Sequence, residues 1–215
     1  MISPRILKGG IALVNPQTVK VYRVIPLQYN PDTLTRSFQV RSVGGEGSNH
    51  SDAMRLTGPP VETYKLEAEI DGTDQLENAR NGDAILNAGI QPILAALETI
   101  IYPKSQHLTD NNILSNMGTI EIAPMESDLV LFIWNKYRIV PVRITELSIT
   151  EEAFDVNLNP IRAKISLGMR VLSVDDLGFD HFGGNIYKNY HIQKETLARM
   201  FTSGSLSDFG IQPFL

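Results

Sequence analysis

The sequence contains no cysteine, which excludes a disulfide framework and any thiolate metal centre. It has no apolar run approaching the ~20 residues that a spanning helix needs; the longest, residues 92–97 and 129–134, stop far short. Histidines number only four, and none is spaced for joint metal ligation with another. Excess basic charge is missing too. The net charge is -5, so a generalised nucleic-acid-binding surface is not expected. The first residues carry no secretory core, because Lys8, Gly9 and Gly10 interrupt the apolar stretch ahead of any small-residue cleavage site. Assembly in the cytoplasm without direct membrane insertion is therefore expected. What remains is a chain of 215 residues, 42% hydrophobic and 20% charged, enough for one good core or a domain plus a satellite.

Most of it reads as strands. Residues 19–27 are rich in β-branched and aromatic side chains and end near Pro26 and the turn signal Asn30-Pro31. Leu34, Phe38 and Val40 share one face of the next run. Residues 44–52, from Gly44-Gly45 to Asp52, are small, polar and glycine-rich, which predicts a loop closed stiffly by Gly58-Pro59-Pro60. From 61 to 70 the alternation is clear: Tyr64, Leu66, Ala68 and Ile70 face one way, and Thr63, Lys65, Glu67 and Glu69 the other.

Residues 73–102 read as a helical insertion. A short helix is capped by Thr73 or Asp74. A second has Pro92 in its first turn and a stripe of Ile93, Ala96, Leu97, Ile100 and Ile101. A polar connection follows over 104–116. Strands resume at 119–123, at the doubly buried run 129–134, and at 137–149, where the core parity changes near Thr145 and so implies a bulge or bend. Residues 161–171 alternate cleanly, with Arg162, Lys164 and Arg170 on the polar face. After Gly183-Gly184, Ile186, Tyr190, Leu197 and Phe201 fall at helical spacing. The tail from 202 reads as a loose end or docking peptide. The expected fold is mainly β with some α: an antiparallel sandwich or barrel over residues 1–174, one or two inserted helices, and a linker, C-terminal helix and tail over 175–215.

No constellation points to catalysis, a cofactor or a metal. Gly44-Gly45-Glu46-Gly47 lacks the Gly-Lys-Ser/Thr ending of a phosphate loop. Glu67 and Glu69 share a strand face as paired catalytic carboxylates can, but a solvated or interfacial charged face is the simpler reading. Arg162, Lys164 and Arg170 make a small footprint on an acidic chain, and pairing with Glu67, Glu69 or Glu151-Glu152 explains them better. Asp175, Asp176, Asp180 and His181 read as a solvated turn rather than an ion site.

Several stretches, taken in order, resemble the tube-like and hub–tube adaptor proteins of contractile, phage-tail-like injection systems. They are 27–34 (Leu-Gln-Tyr-Asn-Pro-Asp-Thr-Leu), 58–62 (Gly-Pro-Pro-Val-Glu), 66–77, 97–103, 132–134 (Phe-Ile-Trp), and 140–163 with its Glu151-Glu152-Ala153-Phe154-Asp155 and Asn159-Pro160 segments. The resemblance covers roughly residues 12–200. It implies a tail-tube type of fold in sixfold rings, a place between inner tube and spike-bearing hub, and as partners other copies of the chain, tube proteins and hub proteins. An inner-tube protomer is the alternative within the same particle. Some relatives carry a peptidoglycan-binding LysM module; none is recognisable here, and a peptidoglycan-directed role is the more distant alternative. The residues expected at assembly contacts are Asn30, Pro31, Gly44, Gly45, Glu67, Glu69, Arg162, Lys164 and Arg170.

Overall fold

The computed structural model describes residues 7–42, 55–78, 80, 83–116 and 127–210. Seven strands form one antiparallel sheet: β1 (Gly10–Val14), β2 (Val21–Pro26), β3 (Leu34–Gln39), β4 (Val61–Asp71), β5 (Leu129–Asn135), β6 (Arg138–Phe154) and β7 (Pro160–Val171). Their spatial order is β2-β1-β5-β6-β7-β4-β3. The protein is thus mainly β, with six α-helices among the described residues: α1 (Thr73–Glu77), α2 (Ala84–Ala88), α3 (Gln91–Glu98), α4 (Ser105–Asn116), α5 (Val174–Leu177) and α6 (Phe182–Arg199).

The sheet curls rather than splitting into two packed sheets. Ile11 and Ile25 at one side of the strand order share a core with Leu66, Ala68 and Ile70 at the other, together with Leu94 and Leu97 of α3. Where β2 runs out, the Gln28 amide takes the part of a neighbouring strand. It donates to Asp71 O (2.6 Å) and accepts from Asp71 N (2.8 Å), so the free half of β4 is held by a side chain instead of a backbone. A second apolar cluster lies on the other face of β1 and β5, where Ala12, Val14, Leu129 and Leu131 meet Leu177, Phe182 and Ile186.

The alternation in β4 and β7 is as the sequence indicates, with Tyr64, Leu66, Ala68, Ile70, Ala163, Ile165, Leu167 and Met169 all buried. The parity change in β6 is a bulge: Ile144 faces Met169, but Glu146 faces Gly168, so Thr145 is the extra residue. Other expectations need correcting. Residues 10–14, read above only for what they exclude, are a central strand buried along its whole length; five consecutive apolar-or-small residues have no period to betray them. The polar stretch after Pro103 is helical, forming α4. It carries its apolar residues (Leu108, Ile113, Leu114) in no single stripe, all exposed, which is why periodicity failed to mark it. The first helix is capped at Gly72 rather than Thr73 or Asp74, since Asp71 takes the Thr73 N–H first. In α3 the deepest residue is Leu94, and Ile101 is exposed beyond the helix end. Gly183-Gly184 does not precede the last helix but forms its first turn. A Cβ on Gly184 would sit 1.9 Å from Gly178 O, so glycine is what lets α6 start against the preceding loop. The strand expected at 119–123 lies outside the described residues.

Candidate assembly interface

The polar faces of β4, β7 and β6 lie side by side, so charges meet in rows across three strands. Asp71, Arg162 and Glu152 are paired in register, as are Glu69, Lys164 and Thr150. Arg162 bridges Asp71 at 2.9 Å and Glu69 at 3.7 Å, and Lys164 bridges Glu152 at 2.9 Å. Two rows further on, Lys65 reaches Glu146 at 3.6 Å across the position of Gly168, which offers no side chain to block it. Arg170 leaves the row and binds Asp176 at 2.8 Å. The Lys65–Glu146, Arg162–Glu69 and Lys164–Glu152 pairs are solvent-exposed and add little stability each; acid-base-acid rows fix strand register instead. Glu67 lies opposite Ser166 and has no ion-pair partner among the described residues.

Hydrogen bonds tune the carboxylates of this face. The Thr73 hydroxyl and N–H, followed by the Arg162 guanidinium, hold Asp71 below the usual carboxylate range. For Asp176, partial burial pushes up, but the Ser173 N–H and Arg170 outweigh it and the carboxyl ends below its ordinary value. Arg162 and Lys164 are both raised, first by their hydrogen bonds to Asp71 and Glu152. Each of these groups belongs to an ion pair within the chain.

The remaining sequence candidates scatter. Asn30 is turned inward on its own chain: it accepts from Gly9 N (3.0 Å) and donates to Leu7 O (2.8 Å), tying the turn at half-buried Pro31 to the start of β1. Gly44 and Gly45 lie outside the described residues. Of the acidic cluster, Asp175 binds Arg41 at 2.8 Å, Asp176 caps α5, and His181 Nδ1 accepts from Gly183 N to cap α6. Among the described residues no group of three acidic or imidazole side chains is placed to hold a metal.

Three features escaped the sequence reading. Glu62 is 2% exposed. Its Oε1 accepts from the hydroxyls of Tyr64 and Tyr190 (2.8 Å each) and its Oε2 from Lys194 Nζ (2.8 Å). Burial pushes the Tyr64 hydroxyl up to about 12 and raises that of Tyr190 as well. The signal was present: Glu62 has the parity of Tyr64, Leu66 and Ala68, an acid in core phase. The second feature is the β6–β7 hairpin tip, where Val156 is 98% and Leu158 77% exposed. The third is an open crevice of about 700 Å³ beneath α3, between β2 and β4, floored by Ile11, Leu66, Ala68 and Ile165.

At the perimeter, β3 ends the strand order among the described residues, and Phe38 and Val40 are exposed there, with Lys194 Nζ of α6 5.3 Å from the Phe38 ring centroid. The β2 edge is partly roofed, because Arg23 donates to Thr99 Oγ1 (2.9 Å) and Ala96 O (3.5 Å) of the α3 region. Its Val21, Tyr22 and Val24 remain exposed.

No family model and no curated protein matches the chain. Among solved structures, a chain from the tail of an empty GTA particle with C6 symmetry is similar at 12% identity over 76% of this chain and 90% of that one, with a TM-score of 0.28. A chain from the sixfold-symmetrised baseplate of the anti-feeding prophage is similar at 10% identity over 80% and 94%, with a TM-score of 0.24. Likenesses this distant carry no argument, so what the chain does has to be read from its own surface.

Proposed function

We propose that this chain is a structural subunit of a contractile, phage-tail-like injection particle. In this reading it closes into a homohexameric ring that joins the inner tube to the spike-bearing baseplate hub. The observation that carries the reading is the open perimeter of the sheet. An unpaired edge strand is a template for another chain. Among the described residues no strand lies beyond β3, where Phe38 and Val40 are exposed, and at the other end β2 shows Val21 and Val24. A chain meant to remain single would blunt such an edge; one that joins a ring needs it.

The polar wall supports the same reading. Its bases are matched by acids of the same chain, which suits the lining or rim of a ring better than a phosphate-binding surface. The segments that resemble hub–tube adaptors include β4 and the β6–β7 hairpin, the strands that build this wall. No described helix is long and apolar enough to cross a membrane.

Electron microscopy of particles from a strain lacking this chain tests the proposal. Tubes and hubs that fail to join, restored by the intact chain, are the expected outcome. Complete particles in its absence would overturn it.

A further inference from the structure

We propose that the tip of the β6–β7 hairpin, Val156 with Leu158, seats in the apolar crevice beneath α3 of a second copy of this chain. The inference rests on the ring reading and adds the contact that would propagate it.

The tip is built to display apolar side chains. Asp155 accepts from Asn157 N (2.7 Å), Asn159 N (2.8 Å) and Asn159 Nδ2 (2.8 Å), and its own N–H donates to Asn159 O (2.9 Å). Those bonds hold the turn rigid. Leu158 sits at φ 64, a left-handed backbone that favours glycine or asparagine. A leucine there accepts local strain and points an apolar group at water, a combination found where display serves a contact. Phe154 at the base of the tip is half-exposed too.

The turn is tied to helices of its own chain. Ile90 N donates to Pro160 O (2.9 Å) and Asn159 Nδ2 to Asn87 O (3.2 Å), fixing the last turn residue and the start of β7 against α2 and the start of α3. Val156, at the other side of the turn, is left almost entirely in solvent. The crevice has the matching character: a volume of about 700 Å³, an apolar floor, and Ile93 and Ala96 of α3 overhead. Charge matches as well. Lys8 and Arg23 line the crevice, and neither has a carboxylate partner among the described residues; its one acid, Glu69, leans to Arg162 at 3.7 Å. The hairpin brings Glu151, equally without an ion pair, and Asp155. Knob and crevice belong to one chain, so they occur in equal number. Such a head-to-tail contact repeats from copy to copy, as a ring requires.

The absence of cysteine makes the test clean. A full-length chain carrying both Val156→Cys and Ala96→Cys, oxidised mildly as purified protein and within particles, is expected to give a ladder of disulfide-linked oligomers. Either substitution alone should yield dimers at most, and Val156→Cys with Lys188→Cys on α6 no ladder. Arg23→Glu should cut cross-linking at least fivefold, with Glu151→Arg restoring it. An intramolecular disulfide, or a ladder no stronger than the Lys188→Cys control, would refute the contact. Particles that contain the chain as a ring but show no Val156–Ala96 ladder would refute the contact and leave the ring standing. Absence of the chain from particles would remove the ring itself.

Discussion

The two ends of the curled sheet use the same strands to opposite purpose. At the end marked by Glu62 and Tyr64, the interior is filled. Tyr187 and Tyr190 of α6 enter the core, Tyr64 packs at a tilt against Phe132 with 5.3 Å between ring centroids, and one carboxylate collects three donors. Beyond Leu66, β4 has lost β3 as a neighbour, a glutamine amide stands in for the missing strand at Asp71, and the interior opens into a crevice. The β6–β7 hairpin, the longest among the described residues, carries bare apolar side chains into solvent. One end spends its polar groups on internal closure. The other leaves apolar surface uncovered, which is the expected division between a part that holds the subunit together and a part that meets its neighbours.

The largest effect should come from breaking the closed end. Glu62→Ala removes the shared acceptor of two buried hydroxyls, which then keep only each other (2.8 Å), and of the Lys194 ammonium. Because the Lys194 side chain is 34% exposed and can turn to water, the loss is placed at the lower end for a buried pair, about 3 kcal/mol. A urea melt measures it, and a loss under about 1 kcal/mol would show that the network does not anchor α6. Next in size is Gly184→Ala, whose methyl must displace the Gly178 carbonyl. Overpacking of this kind costs about 2 kcal/mol and should loosen α6 selectively, visible as faster amide exchange over 182–199 with the strands unchanged.

Much of this closed end was legible in sequence. Strict alternation named the inward faces of β4 and β7, and the parity change at Thr145 named the bulge, because a period of two admits no other way to keep the core side constant. β1 was hidden because a strand buried on both faces has no period. α4 was hidden because it has no buried face. The open end was less legible. The Glu67, Glu69, Arg162 and Lys164 wall was found from its polar parity, but the crevice joins β2, β4 and α3, segments that no local pattern connects. Val156 and Leu158 fell between the strands read over 137–149 and 161–171, where an apolar residue has no phase to violate.

Alkaline pH bears on the closed end, and on β2 through Tyr22, which burial and its hydrogen bond to Asp128 likewise push up to about 12. Burial raises the folded-state pKa of Tyr64 to about 12, and Tyr190 shifts in the same direction. A raised folded pKa contributes stability that is fully present below the unfolded value of 10.0 and is lost as pH rises through the folded one. The protein should therefore weaken between pH 10 and about 12, with α6 first. Tyr190→Phe should flatten that alkaline loss in a pH-dependent melt; an unchanged profile would remove Tyr190 from the network. The smallest effect on folding belongs to the open end. Val156→Ser should change stability by less than about 0.5 kcal/mol while impairing assembly, and a destabilisation comparable to Glu62→Ala would show the tip to be part of the fold instead.

Copy number tests the central claim most directly. Quantitative mass spectrometry of intact particles, scaled to the hub, should find one ring's worth of this chain, six copies for a hexamer. A copy number that grows with tube length would contradict the adaptor and make the chain a tube protomer, and its absence from particles would contradict a structural role altogether.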